Sequence, residues 1–131
     1  MKCYCLGFIF SPDQSQVALL KKRSSDSYNP DCWNGVGGKV EVEETSVQAM
    51  ARETWEETAM HISEEQWKRI GCLSDGKTFE VNVFAAVSDQ YPRTTTDENV
   101  MMFNRHSAQQ KILAHGVEEI LLAWFNGEHL I

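Results

Sequence analysis

Positive charge is scarce in this sequence: 12 lysines and arginines face 19 aspartates and glutamates, for a formal net charge of −7. Affinity for a duplex depends on clustered basic side chains that displace counterions from phosphates, so duplex nucleic acid is not an expected partner. The one basic run, Lys21-Lys22-Arg23, reads as the solvated end of a strand. Cysteine is equally thin as a source of structure. None of Cys3, Cys5, Cys32 and Cys72 falls in a C-x-x-C pair or a zinc spacing, which points to reduced thiols in a cytoplasmic protein. His61, His106, His115 and His129 lack ligand spacing too. No apolar run is long enough to cross a bilayer, so no membrane association is expected. The opening MKCYCLGFIF passes straight into SPDQSQ without a small-residue cleavage site, which argues against a signal peptide. No internal repeat or linker breaks the chain.

What is present suits one packed core. The 131 residues are 42% hydrophobic and 24% charged, and a single domain over 1–131 is expected. CYCLGFIF and QVALLKKR, separated by SPDQS, read as a hairpin of strands over 3–10 and 16–22. SSDSYNPDCWNG has no period and reads as a loop, and VGGKVEV as a short strand. Thr45 and Gln48 form a capping box for a helix over 46–58, with Val47, Met50, Ala51 and Thr54 as its core face. Ser63 and Gln66 repeat the box before a short helical turn. TFEVNVFAAVS alternates as a strand should, and YPRTTTDENVMMF begins as a loop and ends as a strand. The chain closes with a helical period through Ile112, Val117, Ile120, Leu121 and Trp124, interrupted at Gly116 and ended near Gly127. This order predicts a mixed α/β (α+β) sandwich.

The chemistry concentrates between Gly37 and Met60, where six glutamates at 41, 43, 44, 53, 56 and 57 meet only Lys39 and Arg52. Glu53, Glu56 and Glu57 are three and four residues apart, so a helix sets them on one face within a turn of each other. Arg52, four residues before Glu56, offers one compensating pair, and Lys39 lies in another element. The remaining repulsion would be relieved by a hard divalent cation such as Mg²⁺, which prefers carboxylate oxygens, several waters and substrate phosphates. Gly37-Gly38 lets the backbone approach a ligand and expose a carbonyl. Glu44, at the helix entrance, is favoured by the dipole and can hold the loop to the helix.

These residues resemble the signature of the Nudix hydrolases, of the MutT-like kind. The signature runs G, five residues, E, seven residues, R-E, an aliphatic, any residue, E-E, any residue, G, an aliphatic. Gly38, Glu44, Arg52, Glu53, Glu56 and Glu57 fill its glycine and charged positions at the correct spacing, and Met60 its last aliphatic one. Thr54 replaces an aliphatic residue and Ala59 the glycine after the helix. The buried hydroxyl of Thr54 would need a partner. Ala59 asks for a conformation without positive φ, or for strain. QVALLKKR followed by WNGVGGKVEVEET is similar to the approach to this signature in the oxidised-purine nucleoside triphosphatase branch.

The resemblance implies an α/β/α sandwich with a mixed central sheet, and hydrolysis of a nucleoside diphosphate linked to another group by attack of water on phosphorus. It implies that Glu53, Glu56, Glu57 and the Gly38 carbonyl hold Mg²⁺, or Mn²⁺ in its place, while Arg52 orients the helix carboxylates and Glu44. Gly37 and Glu44 belong to the structural part of the signature. Glu98, in TTTDENV, resembles the downstream glutamate that serves as a further ligand or as general base, a role open to Glu53 and Glu56 as well. On the substrate side the resemblance places Asn34 at the base, with Lys21, Lys39 and Cys5 nearby. The implied substrate is a small nucleotide, most simply a nucleoside triphosphate cleaved to monophosphate and pyrophosphate, with oxidised purines favoured by the branch. ADP-ribose, a nucleotide sugar or a capped RNA end are alternatives inside the family. A domain that binds nucleotides without catalysis is the alternative outside it, against which all the signature glutamates stand.

Overall fold

Two alternating sets of side chains on the first strand set the plan of the fold. β1 (Lys2–Phe10) sends Cys5 and Ile9 to one face of a sheet and Leu6, Phe8 and Phe10 to the other, as the two-residue period of a strand requires. β2 (Gln16–Lys21) continues both sets, Ala18 and Leu20 with Cys5, Val17 and Leu19 with Phe8. Phe8, Ile9, Val17, Leu19 and Leu20 are wholly buried. Each such side chain stabilises the fold by about 1.5–3 kcal/mol. The computed structural model describes residues 1–23, 25 and 30–127.

Among the described residues the sheet has seven strands, in the order β3-β2-β1-β6-β5, with β4 paired to β1 and β7 to β2. β3 is Trp33–Asn34, β4 Val36–Lys39, β5 Lys68–Ser74, β6 Phe79–Val87 and β7 Val100–Asn104. β1 and β6 run parallel, Lys2 opposite Phe79 and Phe10 opposite Val87, and the other pairings are antiparallel. The sheet is therefore mixed, as expected. The expected loop over 24–35 holds β3 at its end, because Trp33 and Asn34 find partners in Lys21 and Leu20 that their own sequence does not announce. Residues 24 and 26–29 of that stretch lie outside the described residues, as does His129.

Helix α1 (Ser46–Thr58) covers the Cys5 face, and its capping box is formed: Gln48 N–H donates to Thr45 Oγ1 at 3.2 Å and Thr45 N–H to Gln48 Oε1 at 2.8 Å. Its buried residues are Ala49, Met50, Thr54 and Thr58, so Ala49 takes the core place expected of Ala51, and Val47 is only partly buried. Thr54 meets its need inside the helix, its hydroxyl donating to the Met50 carbonyl at 2.7 Å. Left unpaired, that group would cost about 1–3 kcal/mol. Ala59 keeps the left-handed conformation usual for glycine, φ 59° and ψ 23°, with its N–H on the Trp55 carbonyl at 3.0 Å, so of the two expected outcomes the strained one is taken.

The Phe8 face is covered by α3 (Val117–Phe125), whose Trp124 stacks on Phe10 with ring centroids 4.8 Å apart. The helical period expected from Ile112 onward is broken earlier than predicted. After the short α2 (Arg105–Gln109) the chain extends alongside β3, where Trp33 N–H bonds the Ile112 carbonyl and Ala114 N–H the Trp33 carbonyl, each at 2.8 Å. Ile112 is 73% exposed and belongs to no core. Gly116 (φ 86°) then starts α3.

Candidate active site

The signature helix lies over the glycine pair, and the two meet through Glu53 and Glu57. Glu57 Oε1 accepts the Gly37 N–H at 3.0 Å. A Cβ on Gly38 would stand 2.7 Å from Glu53 Oε1, so only glycine leaves room for that carboxylate. A Cβ on Gly37 would fall 2.0 Å from the carbonyl oxygen of Cys5, its neighbour on β1. The tight β1–β4 pairing thus fixes the floor on which the carboxylates rest.

Arg52 organises more of the cluster than its spacing from Glu56 suggests. Its Nε donates to Glu44 at 2.8 Å, Nη2 to Glu44 at 3.0 Å, and Nη1 to Glu53 at 2.9 Å with Glu56 at 3.3 Å. Nη2 also reaches the Lys39 carbonyl at 3.2 Å, which ties β4 to the helix. The expectation of one compensating pair is therefore corrected: a planar guanidinium presents several donors and here engages three carboxylates. Glu44 completes the brace by accepting the Glu41 N–H at 2.9 Å.

One guanidinium still does not balance four carboxylates, and Glu57 lies beyond its contacts. Burial pushes the Glu57 carboxyl up to about 7, with the charges of Glu53 and Glu98 adding to the rise and Lys22 and the Gly37 N–H opposing it. Burial also raises Glu53, although Arg52 pulls the other way. Glu44 is lowered, first by its hydrogen bond from Arg52. The same desolvated environment, together with Glu53 and Glu57, raises the Cys5 thiol to about 11.

Glu98 reaches this cluster from the far side. It is only 7% exposed, unlike the solvated loop residue its polar neighbours suggest, and it accepts the Arg23 N–H at 3.0 Å. Its loop is strapped to the end of α1: Arg93 N–H bonds the Thr58 carbonyl at 2.8 Å, Thr95 Oγ1 the Glu56 carbonyl, and Gln90 pairs with the backbone of His61. Asn34 faces the α1 side opposite Leu20, and its Oδ1 accepts its neighbour's Gly35 N–H at 2.8 Å. Lys21 and Lys39 are exposed, while Cys5 is buried beneath the glycine pair in the α1-side core. Lys22, which sequence reasoning took for a solvated strand end, is half-buried, and its charge opposes the rise of the Glu57 carboxyl. Strand parity held the signal for it, since Ala18 and Leu20 precede it on the same face.

The donor set is hard oxygen throughout, dry enough to raise two carboxyls, and open to the Gly38 backbone. It fits a divalent cation of the Mg²⁺ or Mn²⁺ kind. Among the described residues no three acidic, histidine or cysteine side chains already converge on one point. Arg52 Nη1 joins Glu53 and Glu56, while Glu57 is engaged separately by the Gly37 N–H.

Known proteins resemble this chain in sequence and in fold. The dihydroneopterin triphosphate diphosphatase of Escherichia coli strain K12 is 29% identical over 92% of this chain and 84% of its own length. That of Haemophilus influenzae is 29% identical over 70% of this chain and 53% of its own. Among solved structures, a MutT structure from work on Aliivibrio salmonicida and Vibrio cholerae superposes with a TM-score of 0.83 at 19% identity, covering 96% of this chain and 98% of that one. The E. coli dihydroneopterin triphosphate pyrophosphohydrolase gives 0.73 at 20% identity, covering 95% of each chain. Residues 5–126 match the NUDIX domain, and with its signature helix braced over the glycine pair the chain belongs to the Nudix hydrolase family.

Proposed function

We propose that the chain, acting as one catalytic unit over 1–131, is a Mg²⁺-dependent pyrophosphohydrolase that cleaves a nucleoside triphosphate or a close relative to the monophosphate and pyrophosphate. The observation that carries this reading is the cluster of Glu53, Glu56 and Glu57 over Gly37-Gly38, with the Arg52 guanidinium on Glu53 and Glu56 and with Glu98 buried beside Arg23. Bound divalent cations would neutralise the phosphate oxygens and the charge that develops on them. Glu53, Glu56, Glu57, Glu98 and the Gly38 carbonyl would hold them, and Arg52 keeps the helix carboxylates in place by its contacts to Glu44, Glu53 and Glu56. No side-chain nucleophile is required: positioning and charge neutralisation carry the reaction, and Glu53, Glu56 or Glu98 takes the proton from water.

The names of the curated relatives support a triphosphate substrate. Pterins and guanine-type purines share a two-ring system with the same amide and amino edge, so Asn34 on the α1 face suits either. Cys5 lies on that face, whereas Lys21, opposite Trp33, and Lys39, opposite Tyr4, fall on the other face of the sheet and do not border the Asn34 side. The four unpaired cysteines support a reducing compartment, and we place the enzyme in the cytoplasm. Among the described residues no helix is long and apolar enough to cross a membrane.

Pyrophosphate release measured with and without Mg²⁺ tests the reading, across normal and oxidised dNTPs and rNTPs, dihydroneopterin triphosphate, ADP-ribose and a dinucleoside polyphosphate. Metal-dependent release from one or more triphosphates is expected. Turnover confined to ADP-ribose or the dinucleotide would move the chain to another branch of the family, and silence on every compound would overturn catalysis.

A further inference from the structure

We infer that Thr95 is a positioning residue, whose hydroxyl fixes the loop that carries Glu98 to the exit of α1 and so sets where Glu98 stands in the site. The inference rests on the reading of Glu98 as a metal ligand or base of the pyrophosphohydrolase, and names what keeps that residue in register with the helix.

The exit of α1 leaves carbonyls that must be met from outside. Glu56 would ordinarily give its carbonyl to the N–H four residues on. Met60 N–H instead turns to the Thr58 hydroxyl at 3.2 Å, where the left-handed Ala59 has ended the helix. Thr95 Oγ1 supplies the missing donor to the Glu56 carbonyl, and Arg93 N–H meets that of Thr58 at 2.8 Å. Further back, the Gln90 side chain accepts the His61 N–H at 2.9 Å and donates to the His61 carbonyl at 2.6 Å. The contacts advance in step, 90 with 61, 93 with 58 and 95 with 56, so the loop runs antiparallel to the chain leaving α1.

Three consecutive threonines then send their hydroxyls to three different places. Thr94 Oγ1 accepts the Val100 N–H at 3.2 Å at the start of β7, Thr95 holds the last turn of α1, and Thr96 Oγ1 accepts the N–H of Glu98 at 3.1 Å. From the β2 side, Lys21 N–H bonds the Asn99 carbonyl at 2.8 Å and Arg23 N–H the Glu98 carboxylate at 3.0 Å. Arg93 and Gln90 grip residues beyond Glu57, whereas Thr95 grips the turn that bears Glu56 and Glu57 themselves. All three threonines are exposed, so their hydrogen bonds compete with water and add little to the stability of the fold. What Thr95 holds is a place.

Hydrogen exchange on the metal-free full chain and Mn²⁺ calorimetry test this with Thr95→Val, which keeps the shape and loses the donor, and Thr95→Ser, which keeps the donor. The Arg23 amide, bonded to the Glu98 carboxylate, reports where Glu98 stands. Loss of one ordinary hydrogen bond should quicken its exchange about fivefold in Thr95→Val. Mn²⁺ affinity should fall about threefold or more, and kcat on a triphosphate about tenfold with KM within twofold. The melting midpoint should fall by no more than about 3 °C. Thr95→Ser should restore exchange, affinity and kcat. Unchanged exchange and Mn²⁺ affinity in Thr95→Val, or a serine variant that restores neither, would overturn the inference. So would a lowered midpoint with Mn²⁺ affinity intact, which makes Thr95 structural only, or a Glu98→Gln protein that binds Mn²⁺ and turns over as the parent does. Mn²⁺ affinity that depends on both Thr95 and Glu98 in a protein that hydrolyses no triphosphate would instead remove the proposed function and leave the positioning standing.

Discussion

Replacing Ala59 by glycine removes a backbone strain that has a known size. Ala59 sits at φ 59° and ψ 23°, closing α1 with its N–H on the Trp55 carbonyl. A left-handed L-residue costs roughly 1–2 kcal/mol because Cβ crowds the following carbonyl. Glycine lifts that cost but gives the unfolded chain more freedom, which takes back roughly 0.4–1 kcal/mol. The balance favours the glycine variant by about 0.5–1 kcal/mol. For 131 residues, at about 2.1 cal/mol/K of unfolding entropy per residue, this raises the melting midpoint by about 2–4 °C. Thermal and urea unfolding of the metal-free protein would measure it, with Ala59→Asn and Ala59→Val alongside. The expected order of midpoints is Gly, then Asn, then Ala, then Val, with the urea m-value unchanged. A glycine midpoint at or below that of the parent would refute the reasoning, since it would mean that the helix end relaxes without its left-handed cap.

Other outcomes follow from the site and its supports. Glu57→Gln should lower turnover by about a hundredfold or more by removing a ligand oxygen. It should not lower the midpoint of the metal-free protein, because the amide oxygen still accepts the Gly37 N–H; a marked drop would reveal a structural partner for the carboxylate. Neighbouring glycines should part ways: Gly37→Ala drives Cβ into the Cys5 backbone and should cost about 3 kcal/mol or more. Gly38→Ala meets only the movable end of Glu53, so unfolding should change little while turnover falls. Asp75 accepts the N–H groups of Lys77, Thr78 and Phe79, and the hydroxyl of Thr78 and these amides hold its carboxyl below the ordinary aspartate value of 3.8. A lowered pKa stabilises the fold above about pH 3.8 and loses that contribution as the pH falls through the lower folded value. Asp75→Ala should therefore be less stable than the parent at pH 7, with the gap closing in acid; a gap independent of pH would refute the assignment.

Much of this was legible because it is local. The capping box of Thr45 and Gln48 fixes the start of α1 to the residue, and the three- and four-residue spacing of its glutamates survives as geometry. The alternation over 79–87 became β6 for the same reason. What sequence reasoning missed depends on partners elsewhere in the chain. β5 alternates poorly and carries a register irregularity between Arg69 and Gly71, so its identity as a strand comes from β6 beside it. The extended stretch before α3 resembles helix by composition and is captured by Trp33. Arg52 looked like a single i,i+4 partner because Glu44 enters only when the loop folds back, and Lys22 looked solvated until its strand met β7.

The strap across the end of α1 has a mechanical consequence. By taking the carbonyls of Glu56 and Thr58, residues 93 and 95 use acceptors that a helix end would otherwise give to water. Glu98, three residues beyond Thr95, is thereby coupled to the same turn that carries Glu56 and Glu57. Thr95, remote from the signature in sequence, is in this way tied to the helix end that carries Glu56 and Glu57, and a substitution that removes its hydroxyl would free the Glu98 loop from that turn without altering a single acidic residue.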